Sequence, residues 1–181
     1  VLLIETALMP GKGMVRVTGN LRQVMKESVE IALTYVRSRM KDLNIAPEVF
    51  EQHNLHVHFP AGAVPKDGPS AGITITTALI GVLTGRRSSS KVAMTGELTL
   101  RGEVTAIGGL REKIVAAKSF GFKTIIVPAS NAKDVDEIPD GVLKGLTIVY
   151  AEHYEDVEHV ALQKRPVTNA VPQIQRKSGP A

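Results

Sequence analysis

A serine at the entrance to an apolar segment is the residue of this chain best suited to chemistry. Ser70 follows the loop Pro65-Lys66-Asp67-Gly68-Pro69 and precedes a helix predicted over 73–84. At a helix N-terminus its hydroxyl would meet unpaired backbone N–H groups and the positive end of the helix dipole. That setting suits a nucleophile whose oxyanion is stabilised by backbone amides. The pattern fits a plain N-cap equally well, because serine is a preferred capping residue.

A lysine on the apolar side of a second predicted helix is the candidate partner of this serine. With about 100° per residue, a helix over 110–120 places Lys113 in the middle of an apolar arc. The arc consists of Leu110, Ile114, Ala116, Ala117 and Phe120. Burial there would disfavour the ammonium form and leave a neutral amine as general base. Alternatively, the lysine stem lies along the core and its amine reaches water. The serine and the lysine together predict a Ser-Lys dyad.

Three motifs in register carry a family resemblance. They are Pro65-Lys66-Asp67-Gly68-Pro69-Ser70-Ala71-Gly72, Met94-Thr95-Gly96-Glu97, and Gly108-Gly109-Leu110-Arg111-Glu112-Lys113. Their order and spacing resemble the proteolytic domain of the Lon family of ATP-dependent proteases, from about residue 4 to about residue 162. The resemblance implies that Ser70 is the nucleophile, that Lys113 is the base, and that Thr95 hydrogen-bonds the lysine.

The serine loop is expected to supply the other supporting groups. Backbone N–H groups from Gly68 to Ala71 would hold the oxyanion. Asp67 is expected to shape its own loop through an Asx-type hydrogen bond. Neither a metal nor an organic cofactor is expected at this site.

The resemblance also implies a fold and partners. The expected fold is α+β, with mixed sheets and packed helices, related to an S5-type ribosomal protein domain. The expected substrates are unfolded polypeptides, cleaved inside a hexameric ring in the cytoplasm, or in the mitochondrial matrix of a eukaryote. An ATPase module using ATP and Mg²⁺ would precede Val1. The chain itself carries no G-x-x-x-x-G-K-[ST] motif, so we do not expect it to be that ATPase.

Composition indicates one domain over 1–162 and a flexible basic tail over 163–181. The tail carries Lys164, Arg165, Arg176 and Lys177 and no acid, which accounts for the formal net charge of +4. Aromatic residues make up 4% of the chain, so a nucleic-acid surface built on stacking is not expected. The chain has no cysteine, which excludes disulfides and thiol catalysis. Because it begins without Met and no signal peptide or membrane span is recognisable, we expect an excised fragment that does not enter a membrane.

Local patterns predict alternating strands and helices. Strands are predicted at 2–8 and 14–18, on either side of a turn, and at 56–59, 91–95, 97–107, 123–127 and 146–150, with a turn at Arg101-Gly102 inside 97–107. Helices are predicted at 20–40, with Asn20 as its cap, and at 73–84, 110–120 and 152–162. The apolar face of the first helix would carry Leu21, Val24, Met25, Ala32, Tyr35 and Val36.

Other readings of the same residues remain open at this stage. His56 and His58 share one face of a strand, but no third metal ligand has a recognisable spacing, so structural roles are favoured. The glycine-rich loop before a helix also fits a phosphate-binding, small-molecule-kinase-like domain. That alternative gives no reason for Lys113 in an apolar stripe. A third possibility is a non-catalytic assembly domain of the same fold.

Overall fold

The structure is a computed structural model, and it describes residues 1–164. The strands of the described chain are β1 (Glu5–Pro10), β2 (Val15–Thr18), β3 (His53–His58), β4 (Val92–Met94), β5 (Glu97–Leu98), β6 (Val104–Thr105), β7 (Thr124–Pro128) and β8 (Thr147–Ala151). The α-helices are α1 (Gln23–Ser38), α2 (Glu48–Gln52), α3 (Gly72–Thr84), α4 (Leu110–Ser119), α5 (Ala132–Asp136), α6 (Asp140–Leu143) and α7 (Tyr154–Ala161). This mixture of small sheets and packed helices confirms the predicted α+β class.

The first sheet has the order β1-β3-β2. Strand β3 pairs antiparallel with β1 and parallel with β2, so the strands on either side of the first turn do not pair with each other. The turn lies against the start of β3, where Asn54 Oδ1 accepts hydrogen bonds from the N–H groups of Lys12 and Met14. Gly13 has a φ of +80°, and a Cβ there would stand 2.4 Å from the Phe50 carbonyl oxygen. The close approach explains why a glycine ends this turn.

Helix α3 forms the centre of the main core and confirms the sequence prediction. Its threonines are tolerated in a buried helix because Thr76 and Thr77 donate hydrogen bonds to carbonyl groups one turn earlier. Gly85 ends the helix with a φ of 68°, in the left-handed conformation typical of glycine at this position.

The start of α1 corrects the sequence prediction. Arg22 is the N-cap, and Asn20 lies outside the helix with a φ of 59°. The Asn20 side chain donates to the Gly62 carbonyl, and Leu21 forms an isolated bridge with Lys66. Asn20 therefore turns the chain toward the serine loop and does not cap the helix. The expectation that Val24 belongs to the apolar face is also wrong, because its side chain is exposed.

A second, smaller core lies between α4 and the parallel sheet β4-β7-β8. Leu110, Ile114 and Ala117 of α4 are buried against Ile125 and Val127 of β7. Phe120 was expected in this apolar arc, but α4 ends at Ser119 and the Phe120 side chain is 69% exposed. A turn at Gly121, with a φ of +87°, redirects the chain so that Phe122 packs on this core instead.

Sequence reasoning missed three short helices and placed one hairpin correctly. Helices α2, α5 and α6 each span five residues or fewer, too short for a periodic pattern to register. Strands β5 and β6 pair antiparallel around the predicted turn, where Gly102 has a φ of +87°. At the C-terminal end, the Gln163 N–H donates to the Arg87 carbonyl, and the Arg86 side chain donates through Nε to the Gln163 carbonyl. The predicted tail from residue 165 onward lies outside the described residues.

Candidate active site

Ser70 lies in the turn that leads into α3, one residue before the N-cap Ala71. Its side chain is partly exposed, and within residues 1–164 its hydroxyl has no hydrogen-bond partner. The plain N-cap reading is therefore wrong, because no side chain caps α3. The hydroxyl is available for another task.

Two donors from the Met94–Glu97 motif hold the carbonyl oxygen of Ser70. The Gly96 N–H donates to it at 2.9 Å, and the Thr95 hydroxyl donates at 3.2 Å. The Gly96 carbonyl in turn accepts the Ile73 N–H at 3.2 Å. A Cβ on Gly96 would stand 2.8 Å from Val104 Cγ1, so a larger residue would push the motif away from the serine. The motif therefore fixes the serine turn through two donors to the Ser70 carbonyl and one acceptor for the Ile73 N–H.

Thr95 is buried and joins this motif to the parallel sheet. Its N–H donates to the Ile126 carbonyl at 3.0 Å, directly after β4 pairs with β7. The position of Ser70 thus depends on β7.

Asp67 ties the serine loop to α1. Its Oδ1 accepts the N–H of the next residue, Gly68, at 2.9 Å, whereas the expected Asx turn would need the N–H of residue 69, which is proline. The same oxygen accepts the N–H of Met25 in the first turn of α1 at 3.3 Å. That first turn has no acidic residue of its own, so the Asp67 carboxylate supplies the negative charge that stabilises a helix N-terminus. Sequence reasoning missed this second contact because it joins residues far apart in the chain.

Lys66 is a further supporting residue that sequence reasoning did not single out. Its ammonium donates to the carbonyl oxygens of Gly19, Ala61 and Val64 at 2.9, 2.8 and 3.1 Å. These bonds close the loop before the serine onto the end of β2. A lysine next to two candidate site residues was the available signal, but its acceptors are backbone groups that no sequence pattern marks.

Lys113 lies in the first turn of α4, and its side chain is half-buried, not enclosed by the apolar arc. Its Nζ donates to the Gly108 carbonyl at 2.8 Å, on the exposed side. The expected Thr95–Lys113 hydrogen bond is not formed, because the Thr95 hydroxyl donates to Ser70 instead. Within residues 1–164 no hydrogen bond joins Lys113 to Ser70 either.

The segments linked to the two candidate residues nevertheless lie at the same edge of one sheet. Strands β4 and β7 are parallel, so their carboxyl ends meet at one edge. Thr95, which holds Ser70, follows β4 at this edge. Asn131, which follows β7 by a short turn, hydrogen-bonds Ile107 just before α4 and Lys113. A cavity of about 270 Å³ opens beside Gly108 and Gly109.

The two histidines of β3 share a face, as the pattern predicted. Both rings contact one hydroxyl, since Thr18 Oγ1 lies 2.8 Å from His56 Nε2 and 2.8 Å from His58 Nδ1. Within residues 1–164 no group of three or more His, Asp or Glu side chains could hold a metal ion. The described contacts of both histidines are consistent with the structural role that the sequence favoured.

A buried tyrosine contacts α3, the helix that follows Ser70. Tyr154 of α7 donates to the Thr77 hydroxyl of α3 at 3.0 Å. Burial raises the pKa of Tyr154 well above its ordinary value. Tyr35 stacks edge-on against it, and burial raises the pKa of Tyr35 to about 12.

One family model matches most of the chain. The family described as "Lon protease (S16) C-terminal proteolytic domain" matches residues 1–164. In the part of the chain that the structure describes, no helix is both long and apolar enough to cross a membrane.

Relatives with this name match most of the chain. Lon protease of Anaeromyxobacter dehalogenans is 50% identical over 99% of this chain and 21% of its own length. Lon protease of Escherichia coli K12 is 52% identical over 91% of this chain and 21% of its own length. Lon protease 1 of Bacillus subtilis is 52% identical over 89% of this chain and 21% of its own length. The chain thus spans about a fifth of the length of these relatives. With that identity and coverage, this chain belongs to the Lon protease family, as a C-terminal proteolytic domain.

Proposed function

We propose that this peptidase domain is a serine endopeptidase that cleaves unfolded or damaged polypeptides with Ser70 as nucleophile and Lys113 as general base. One observation carries the proposal: the serine turn and the start of the lysine helix stand at the same carboxyl edge of β4 and β7. An unpartnered hydroxyl and a half-buried amine at one edge are what a dyad requires.

The proposed reaction uses the Ser70 hydroxyl and the Lys113 amine. A neutral Lys113 takes the proton from the Ser70 hydroxyl as its oxygen attacks the peptide carbonyl. Lys113 then donates that proton to the leaving amine, and water hydrolyses the acyl-enzyme.

The backbone around Ser70 supplies the oxyanion donors. The Gly68 N–H is already occupied by the Asp67 carboxylate. Pro69 has no N–H, whereas the N–H groups of Ser70 and Ala71 have no acceptor within the described chain. These two amides are the donors that would bind the tetrahedral oxyanion.

In this structure Lys113 bonds Gly108, so the dyad requires its side chain to rotate toward Ser70. Lysine has a long, flexible stem, and catalytic hydrogen bonds are often formed only when substrate is bound. Peptide seated at the sheet edge would displace water from this region and favour the rotated position.

The remaining functions belong to the longer protein. We infer that an ATPase module, with its own ATP and Mg²⁺, unfolds substrates and delivers them to this domain. A hexameric ring would enclose the sites, in the cytoplasm or, in a eukaryote, the mitochondrial matrix. The family match favours neither the small-molecule-kinase-like alternative nor a purely non-catalytic assembly domain.

Substitution of the nucleophile tests the proposal. We expect Ser70→Ala to lose both turnover of a fluorogenic unfolded polypeptide and labelling by a fluorophosphonate probe. Its melting temperature should stay near that of the wild type, because the hydroxyl makes no hydrogen bond within residues 1–164. Ser130→Ala, at an exposed serine, is the matched control. Turnover or labelling retained by Ser70→Ala would exclude Ser70 as nucleophile.

A further inference from the structure

Asn131 is a buried polar residue outside the proposed dyad, with 2% of its surface exposed. Its side-chain amide forms hydrogen bonds with both backbone groups of Ile107. Oδ1 accepts the Ile107 N–H at 3.0 Å, and Nδ2 donates to the Ile107 carbonyl at 3.0 Å. Nδ2 also donates to Asp134 Oδ2, so both of its protons are used.

Asn131 makes the two backbone hydrogen bonds that a neighbouring strand would otherwise make with Ile107. After β6 ends at Thr105, the chain leaves the β5-β6 hairpin, and Ile107 has no strand neighbour. Buried backbone groups need partners, and Asn131 supplies both. The segment 107–112 lines the cavity of about 270 Å³, so it lacks packing on that side. Asn131 is the contact that fixes this segment.

The segment that Asn131 fixes carries the lysine. One residue after Ile107, the Gly108 carbonyl accepts Lys113 Nζ at 2.8 Å. The next carbonyl, that of Gly109, accepts the backbone N–H of Lys113 and begins α4. Both anchors of Lys113 therefore lie within two residues of the peptide held by Asn131.

Strand β7 carries this support to both halves of the site. Its Ile126 carbonyl accepts the Thr95 N–H, on the serine side. Three residues beyond its end, Asn131 holds the lysine side. A rigid strand thus sets the distance between the two halves.

We propose that Asn131 is a positioning residue for Lys113, acting through the backbone of Ile107 and the Gly109 carbonyl that accepts the Lys113 N–H at the start of α4. The inference rests on the proposed dyad. It assigns to Asn131 the placement of the base and not contact with substrate. Removing its amide should loosen the start of α4 and let the lysine amine drift.

The experiment compares two asparagines that pin backbone amides at different places. Asn131→Ala removes the Ile107 pairing, whereas Asn54→Ala removes two backbone bonds at the distant first turn. Two readouts are taken for each variant. One is the pH profile of kcat for a fluorogenic unfolded polypeptide. The other is the ¹³Cε resonance of Lys113 in lysine-labelled chain, assigned with Lys113→Arg.

For Asn131→Ala we expect a kcat roughly 10- to 100-fold lower with KM little changed, since misplacing a catalytic group by about 1 Å has effects of this order. The pH profile and the Lys113 resonance should both shift. Asn54→Ala should leave both at their wild-type values. An Asn131→Ala variant that matches wild type in profile and resonance would overturn the inference, as would equal shifts in Asn54→Ala.

A second variant covers the case in which Asn131→Ala does not fold. Asn131→Asp combined with Asp134→Asn keeps the net charge, the acceptor for the Ile107 N–H and an amide between the two positions. It cannot donate to the Ile107 carbonyl, so the Lys113 resonance should still shift, and an unchanged resonance would contradict the inference. If the resonance shifts but even the wild type shows no Ser70-dependent turnover, the proposed function fails while the positioning role stands.

Discussion

At the scale of single residues, hydrogen bonds to backbone carbonyl groups position the Ser70 turn and the Lys113 side chain. Thr95 and Gly96 hold the carbonyl of Ser70, and Lys113 is held by the carbonyl of Gly108. The hydroxyl of Ser70 is left without a partner in the described chain, whereas the amine of Lys113 has one. The lysine is therefore the residue that must move for the proposed chemistry.

The charge of Lys113 provides the sharpest test of its role. Lys113→Arg should lower kcat by roughly 100-fold or more, because arginine stays protonated and cannot act as a base. Replacing His56 should at most weaken activity, since its ring contacts Thr18. Near-normal turnover in Lys113→Arg would contradict the lysine base. Complete loss of turnover in a folded His56 variant would indicate a histidine base instead.

The Thr95 hydroxyl should matter through the Ser70 backbone. Thr95→Val keeps the shape of the side chain and removes the bond to the Ser70 carbonyl, at a cost of about 1 kcal/mol in the free energy of unfolding. We expect kcat to fall several-fold, because the serine turn loses one of its two donors. Thr95→Ser should restore most of the free energy of unfolding, measured with urea, and most of kcat, measured by steady-state kinetics. Equal kcat values in the Val and Ser variants would argue against this role.

At the scale of elements, the contact of α3 with the hairpin β5-β6 sets the position of Ser70, the proposed nucleophile. Gly72 is the first residue of α3, and it lies against Leu98 of β5. A Cβ at Gly72 would stand 2.8 Å from the Leu98 backbone nitrogen. This contact is with backbone, which cannot turn aside as a flexible side chain would.

Gly72→Ala should therefore disturb stability and activity together. We expect a loss of about 1–3 kcal/mol in the free energy of unfolding, as is usual for overpacking. We also expect a large fall in kcat, because Ser70 is two residues away. Gly62→Ala is the control, since a Cβ at Gly62 meets nothing within 4 Å. Full activity in a Gly72→Ala variant with normal stability would show that the approach of α3 to β5 is not tight.

At the scale of the whole molecule, α7 connects the serine helix to α1. Tyr154 donates to Thr77 of α3 and stacks against Tyr35 of α1. Beside them Arg39 bonds Tyr35 and forms ion pairs with Glu155 and Glu158. Helix α7 thus packs against α3, the helix that follows the proposed nucleophile.

Because the pKa of Tyr154 is raised on folding, its contribution to stability should be lost in alkali. The native state keeps the phenol protonated, whereas the unfolded chain releases the proton above about pH 10. Tyr154→Phe should thus be less stable than wild type by about 1 kcal/mol at pH 8, from the lost hydrogen bond. That difference should shrink above pH 10, measured by urea unfolding at pH 8 and pH 11. Tyr150→Phe, at an exposed tyrosine, should show no such change, and a pH-independent difference for Tyr154→Phe would contradict the buried phenol.

Several features were determined by local sequence alone. The threonine-rich segment of α3, ended by Gly85, and the turn at Gly102 depend on neighbouring residues, and both were predicted. The three spaced motifs were likewise enough to predict the family that the comparison then showed. Local chemistry of this kind is readable because the interacting residues lie within a few positions of each other.

Tertiary structure decided the rest, because the deciding contacts join distant backbone groups. Asn20 looked like a cap and became a turn, since Leu21 pairs with Lys66 across the fold. For Lys113 the sequence left burial and a water-exposed amine open; α4 packs Leu110 and Ile114 inward and leaves the lysine amine on the Gly108 carbonyl, on the exposed side. Asn131 carried no signal at all, because its partner is a peptide bond 24 residues earlier in the chain. Residue types determined which chemistry is possible here. Tertiary structure decided which segments lie near each other, because only the folded sheet brings the carboxyl ends of β4 and β7 to one edge.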